Sequence, residues 1–529
     1  MMRTRFLPLA AGLALAACVP APKGATYTNP ILYADYSDPD VIRVGDDYYL
    51  VASSFHFSPG IPILQSRDLV HWSILGHVLP RLTFGPDYSM PGPFALTDTT
   101  SKPTTNTRYA GGVWAPSIRH HDGRFYVYWP TPDEGIFMAT AARAEGPWSA
   151  PVKVIDQPKL EDPCPFWDED GSAWLVHSVH GAGPLILHRM SPDGTRVLDA
   201  GTVIVEDKAA LPILEGPKLY KRNGWYYILA PFGGVEKGAQ VALRARDIRG
   251  PYEHQVVLSQ GTTALAGPHQ GGWVETPSGQ DWFVHFNSAG AFGRIVHLEP
   301  VRWIDDWPVM GDRIPGTYGG QPVATYPTPD TGASTNDRLQ DSDEFTGPVL
   351  GPQWEWNHNP DDNAWSLTAR PGFLRLTARP AEHLVTARNT LTQILQGPRS
   401  RVTARLDLTA MTPGQRAGLA LFGVKPSWIG AVRDPSGTHL ALAVAGDENA
   451  GPAVAAKTLE LRAEVAPDQT VRYSYSLDEG RSFQPLGGAI PLTRFSWWKG
   501  ARPALFTFTR GADTGGFVDV DWLHVERTW

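Results

Sequence analysis

The chain of 529 residues is too long for one ordinary hydrophobic core, so two or more domains are expected. Hydrophobic residues make up 42% and charged residues 19%, a soluble globular balance, and a net charge of −8 without a basic patch excludes nucleic acid as a partner. The 53 glycines and 48 prolines favour many turns over long helices, and the 19 tryptophans offer flat faces that suit sugar rings as well as cores.

The chain opens on an export segment. Arg3 and Arg5 precede an apolar run, Phe6 to Ala14, that is too short to span a membrane. Leu15-Ala16-Ala17-Cys18 follows and reads as a lipobox, so residues 1–18 are expected to be a lipoprotein-type signal peptide. The mature protein is then exported, periplasmic or held at the outer membrane through an N-terminal lipid. Cys164 is left alone in the body, and no intramolecular disulfide is expected.

From residue 25 to 326 one pattern recurs: an apolar strand, a tight Gly-containing turn with Asp, Asn or Ser, and an aromatic-rich strand. The turn glycines stand at 45, 123, 171, 224 and 279, separated by 78, 48, 53 and 55 residues. Spacings near 50 fit one four-stranded sheet per repeat, so five repeats predict a five-bladed β-propeller. The long first interval holds an insertion from Phe84 to Tyr109, rich in Pro, Thr and Ser, that reads as a loop of the kind that often carries function.

Innermost propeller strands run along a common axis, so equivalent positions in successive repeats form a ring. Seven to ten residues before each turn glycine stand Asp38, Pro116 just after Trp114-Ala115, Asp162, Glu215 and His269. Three acids, a Trp and a His therefore meet at one end of one channel. Gathered carboxylates raise one another's pKa, which costs stability but supplies a general acid near neutral pH. Glycoside hydrolysis needs that division between a protonated acid and a carboxylate on the opposite face. His269 reads equally as a buried hydrogen-bonded residue or as an ion-binding one. Asp35, Asp40, Asp46 and Asp47 read as turn and rim residues, and Asp168-Glu169-Asp170-Gly171 as a hairpin turn rather than a calcium loop.

Pro327 to Asp337 has linker composition, and residues 338–529 alternate as strands without the earlier repeat. A β-sandwich is the natural reading, which makes the whole chain all-β.

These stretches resemble glycoside hydrolase family 43, the β-xylosidases and α-L-arabinofuranosidases. The likeness rests on Asn29-Pro30-Ile31-Leu32, Asp38-Pro39-Asp40, Gly45-Asp46-Asp47-Tyr48-Tyr49, Ser53-Ser54-Phe55, Trp114-Ala115-Pro116, Glu215-Gly216-Pro217 and Gly293-Arg294. The resemblance implies that Asp38 is the general base, Glu215 the general acid and Asp162 the residue that tunes and orients the acid. It implies inversion at the anomeric carbon, with base and acid about 6.5–9.5 Å apart. Phe55, Trp114 and Arg294 would contact the sugar. Two departures stand out: Lys218 where relatives often have His, and Phe232 where a smaller residue is usual, which would narrow the pocket if it points inward.

The C-terminal part, from Asp343-Glu344-Phe345 to Asp519-Val520-Asp521-Trp522, resembles the concanavalin-like (jelly-roll) sandwich of these β-xylosidases, which can lend a loop to the pocket mouth. The resemblance allows a structural calcium, with Asp343 and Asp521 as acids near the two ends, and requires no catalytic metal or cofactor. The expected activity is exo-acting release of xylose or arabinofuranose from xylan or arabinoxylan fragments. The alternatives are a non-catalytic surface glycan-binding lipoprotein and a retaining, fructan-type propeller hydrolase.

Overall fold

The computed structural model describes residues 24–95, 105–512 and 515–527; the signal segment with Cys18 lies outside them. Five sheets follow one another in chain order, as the repeat predicts, each with four antiparallel strands, the fourth sheet extended at its outer edge by two short strands. Blade 1 is built from Asp40–Val44, Asp47–Val51, Gly60–Ser66 and Ser73–Leu79. The innermost strands of the other four are Ser117–His121, Leu160–Trp167, Lys218–Arg222 and His269–Glu275.

Each blade is covered on both faces, so its strands are apolar on both sides rather than on alternate residues. In blade 4 Ile228 packs into the seam with blade 3, while the next residue, Leu229, packs into the seam with blade 5. Five such seams close the ring, the last joining Tyr48 and Leu50 of blade 1 to Trp282 and Val284 of blade 5. Gly272 stands at that junction, where a Cβ would lie 2.7 Å from Asp40 Oδ1. The segment before blade 1 clasps blade 5, with Tyr27 Oη donating to the Leu298 carbonyl at 2.7 Å and Asn29 Nδ2 at 2.9 Å.

Residues beyond 338 form two large sheets packed face to face, the expected sandwich. Its core is lined by residues such as Leu376, Val402, Leu419, Leu461 and Val520. The two domains share a sheet: Phe57–Ser58 of the propeller pairs antiparallel with Glu355–Asn357 at the edge of one sandwich sheet. The described part of the insertion serves this interface and does not line the active pocket. Tyr109 Oη donates to the Val385 carbonyl at 2.7 Å, and Asn359 N–H donates to the Tyr88 carbonyl at 2.7 Å. The linker is also pinned, with Thr335 N–H donating to Asp68 Oδ2 at 3.2 Å. Asp343 accepts from Trp354 Nε1 at 2.7 Å, and Asp521 lies 3.5 Å from Arg405, so both acids have protein partners.

Candidate active site

One end of the propeller axis opens into a pocket of about 320 Å³. Asp38, Asp162, Glu215, Trp114, Phe55, His269 and Arg294 all line it, so the in-phase ring converges as the repeat predicts. Asp40, Cys164 and Lys218, which follow the pocket residues into the inner strands, are each fully buried and do not line the pocket. Lys218 Nζ donates to Ser117 Oγ at 2.6 Å and lies 3.9 Å from Asp40 Oδ2. Asp40 also pairs with Arg119 at 2.7 Å, which makes it a channel residue rather than a rim residue. Asp35 is likewise buried and not on the rim.

The acids enter the pocket because the chain turns sharply ahead of each inner strand. Asp38 and Asp162 both have φ of 54°, in the left-handed region that short polar side chains tolerate, and Ile213 and Gly216 flank Glu215 with φ of 54° and 61°. Each carboxylate is then held by its own donors. Asp38 accepts from Ser53 Oγ at 2.6 Å and from Arg294 Nη1 at 2.7 Å. Asp162 accepts from Ser178 Oγ at 2.7 Å, from the Gly216 N–H at 2.9 Å and from Gln270 Nε2 at 3.4 Å. Glu215 Oε1 lies 3.0 Å from His269 Nε2, close enough for an ion pair but without hydrogen-bond alignment.

Burial, then the charge of Glu215, pushes Asp162 up to about 6 despite its Ser178 and Gly216 donors. Among the described residues, the one group of acids spaced to hold a metal ion is Glu161, Asp162 and Glu215, with an oxygen of each within 4.8 Å of the others. Asp38 stands outside that cluster, beside Arg294.

Phe232 does not line the pocket. Its ring packs against the apolar seam between blades 3 and 4, and Ile213, Gly234 and Val235 form that part of the wall instead. Three contributors escape the repeat. Glu161 precedes Asp162 and faces the same cavity, His180 stands beside it, and Trp498 reaches in from the sandwich. Trp498 meets Trp114 edge-on at 5.8 Å between ring centroids, and its neighbour Phe495 packs on the Arg294 guanidinium at 5.1 Å. No local signal marks Trp498, because its place depends on how two domains dock.

Carboxylates held on two sides of an aromatic-walled pocket suit hydrolysis of a glycosidic bond, and on this scaffold they mark a propeller glycoside hydrolase. Comparison with known proteins agrees. Residues 27–308 match the model of glycosyl hydrolases family 43, and residues 342–526 match the β-xylosidase C-terminal concanavalin A-like domain. The chain belongs to glycosyl hydrolase family 43. It is 42% identical to a putative β-xylosidase of Xylanibacter ruminicola over 91% of this chain and 86% of that one. A β-xylosidase of Formosa agariphila is 34% identical over 94% and 90%. A solved structure of a bifunctional GH43-CE protein from Bacteroides eggerthii superposes with a TM-score of 0.83 at 30% identity, covering 97% of this chain and 64% of that longer one.

Proposed function

We propose that the protein is an exo-acting, inverting pentosidase that releases xylose, arabinofuranose or both from the ends of xylan or arabinoxylan fragments. The observation that carries this reading is the small size of the pocket, about 320 Å³, with fully buried Asp40, Cys164 and Lys218 on the inner strands behind it and the half-exposed Trp498 in its wall, which suits one terminal sugar rather than a running chain. The named β-xylosidase relatives support the choice of sugar.

In this reading Asp38, oriented by Ser53 and Arg294, takes a proton from the attacking water on one face of the sugar. Glu215, across the pocket beside His269, protonates the leaving oxygen. Asp162, fixed by Ser178 and Gly216, keeps negative charge near the acid and sets its orientation. Phe55 and Trp114 wall the terminal sugar, and their aromatic faces exclude water from the reacting centre. No cofactor takes part. In the cell the substrate would be oligosaccharide met outside the cytoplasm by an exported, lipid-anchored enzyme.

The test is hydrolysis of xylobiose and of p-nitrophenyl β-xyloside and α-L-arabinofuranoside by wild type and Glu215→Ala. Loss of several orders of magnitude on xylobiose, with a milder loss on the aryl glycosides, is expected, because nitrophenolate needs little protonation to depart. Proton NMR of the first product should show inverted configuration; retention would point to a fructan-type mechanism. A wild type that binds xylo-oligosaccharide but releases no sugar would make the protein a glycan-binding one.

A further inference from the structure

We propose that Glu161 is a specificity-determining residue that hydrogen-bonds a hydroxyl of the leaving-group sugar. The inference rests on the pentosidase reading of the same pocket and deepens it.

In a regular strand, successive side chains point to opposite faces, so Glu161 and Asp162 should not share a cavity. They do so here because the register with the neighbouring strand slips between Glu161 and Cys164, and Asp162 takes a left-handed φ of 54°. A local irregularity of this kind re-aims a side chain. Glu161 is buried, yet its carboxyl lines the pocket. His180 Nδ1 lies 3.3 Å from its Oε1.

Position selects the leaving-group side. A Glu161 oxygen lies within 4.8 Å of both Asp162 and Glu215, the side from which the leaving oxygen is protonated, while Asp38 stands outside the cluster. On its other side Glu161 meets His180, whose half-exposed ring packs on Trp114 at 5.4 Å, near the mouth capped by Trp498. Glu161 thus lies between the acid and the opening, along the path that the rest of an exo-cleaved chain must take. Burial, reinforced by Asp162, Glu215 and Asp38, pushes its carboxyl up to about 9. At neutral pH it is a neutral acid that can both donate to and accept from a hydroxyl.

The experiment compares xylobiose with methyl β-D-xyloside for wild type, Glu161→Ala and Glu161→Gln. Both substrates have unactivated leaving groups that need the same protonation, but only xylobiose carries hydroxyls beyond the scissile bond. Glu161→Ala should lose about tenfold in kcat/KM on xylobiose and less than about threefold on the methyl glycoside. Glu161→Gln, which keeps a neutral donor and acceptor, should recover most of the loss. Equal losses on both substrates, or none on xylobiose, would overturn the assignment while leaving the pentosidase reading intact. A wild type inactive on both xylosides would overturn the assignment, and one inactive on p-nitrophenyl α-L-arabinofuranoside as well would overturn the pentosidase reading with it.

Discussion

The backbone N–H of Gly500, in the sandwich, donates to the carboxylate of Asp35, in the propeller, at 2.8 Å. The other Asp35 oxygen accepts from the Arg294 N–H at 3.0 Å and from Ser37 Oγ at 2.8 Å. Arg294 in turn grips Asp38. One buried carboxylate therefore joins the loop that carries Trp498 to the residue that orients the proposed base. The approach is close: a Cβ on Gly293 would fall 2.4 Å from Asp35 Cγ. Asp35→Ala strips three buried donors of their acceptor and the Lys499 ammonium, 3.8 Å away, of a counter-charge, although Lys499 keeps its hydrogen bond to the backbone carbonyl at this position. A loss of about 3 kcal/mol in unfolding free energy is expected, with a drop in kcat of tenfold or more. Thermal unfolding and pentoside hydrolysis measure the two, and full activity in Asp35→Ala would show that the link is not needed.

Trp498 makes the opposite kind of contribution. Its side chain is 42% exposed, so little folding energy rests on it, while its edge closes the pocket against Trp114. Trp498→Ala should raise KM for xylobiose about three- to tenfold and shift the melting temperature by no more than about 2 °C. Initial-rate kinetics beside a melting curve separate these effects. An unchanged KM would remove Trp498 from the substrate path.

The sequence makes some of this site legible and hides the rest for identifiable reasons. Asp38, Trp114, Asp162, Glu215 and His269 recur in phase with the turn glycines, and phase in a propeller becomes position around the axis. Asp35 and Asp40 look like rim residues because turn-forming composition surrounds buried and exposed aspartates alike; only their partners Gly500 and Arg119 set them apart. Glu161 is hidden by strand alternation, which the slip beside Asp162 overrides. Phe232 follows the blade pattern into an interblade seam, where packing decides its direction rather than the substrate. The role of the insertion is settled by Tyr109 and Tyr88 meeting the sandwich, a contact that no local pattern encodes.

Glu161 also makes a prediction about stability. Its native pKa, about 9, lies above the ordinary glutamate value of 4.5, so the folded state holds a proton that the unfolded chain releases. Raising the pH from about 4.5 to 9 therefore favours the unfolded chain, and the native state pays progressively for keeping a carboxyl at this place. Glu161→Gln removes the titration. The variant should melt higher than wild type at pH 8, by several degrees, with the difference shrinking to nothing near pH 4. Melting curves across that range test the sign, and a difference independent of pH would show that Glu161 is ionised in the folded protein.

The domain interface should show the reverse dependence. Glu355 Oε2 accepts from Arg502 Nη2 at 2.7 Å, and Glu355 Oε1 lies 3.2 Å from His77 Nε2, all three side chains being buried. Burial by itself would push the Glu355 carboxyl up, yet Arg502, His77 and Lys499 around it bring it down to about 2, against 4.5 for a free glutamate. A native pKa below the unfolded one stabilises the protein fully above about pH 4.5, and that stabilisation is lost as pH falls toward 2. The full effect is on the order of 3 kcal/mol. Glu355→Gln leaves Arg502 buried without its counter-charge and should be less stable than wild type by a similar amount at pH 7. As the pH drops from about 5 to 2.5, wild-type Glu355 takes up its proton and the gap between the two proteins should close. Urea unfolding of both at several pH values measures that gap; a constant difference would mean that packing around Glu355, rather than its charge, holds the propeller and the sandwich together.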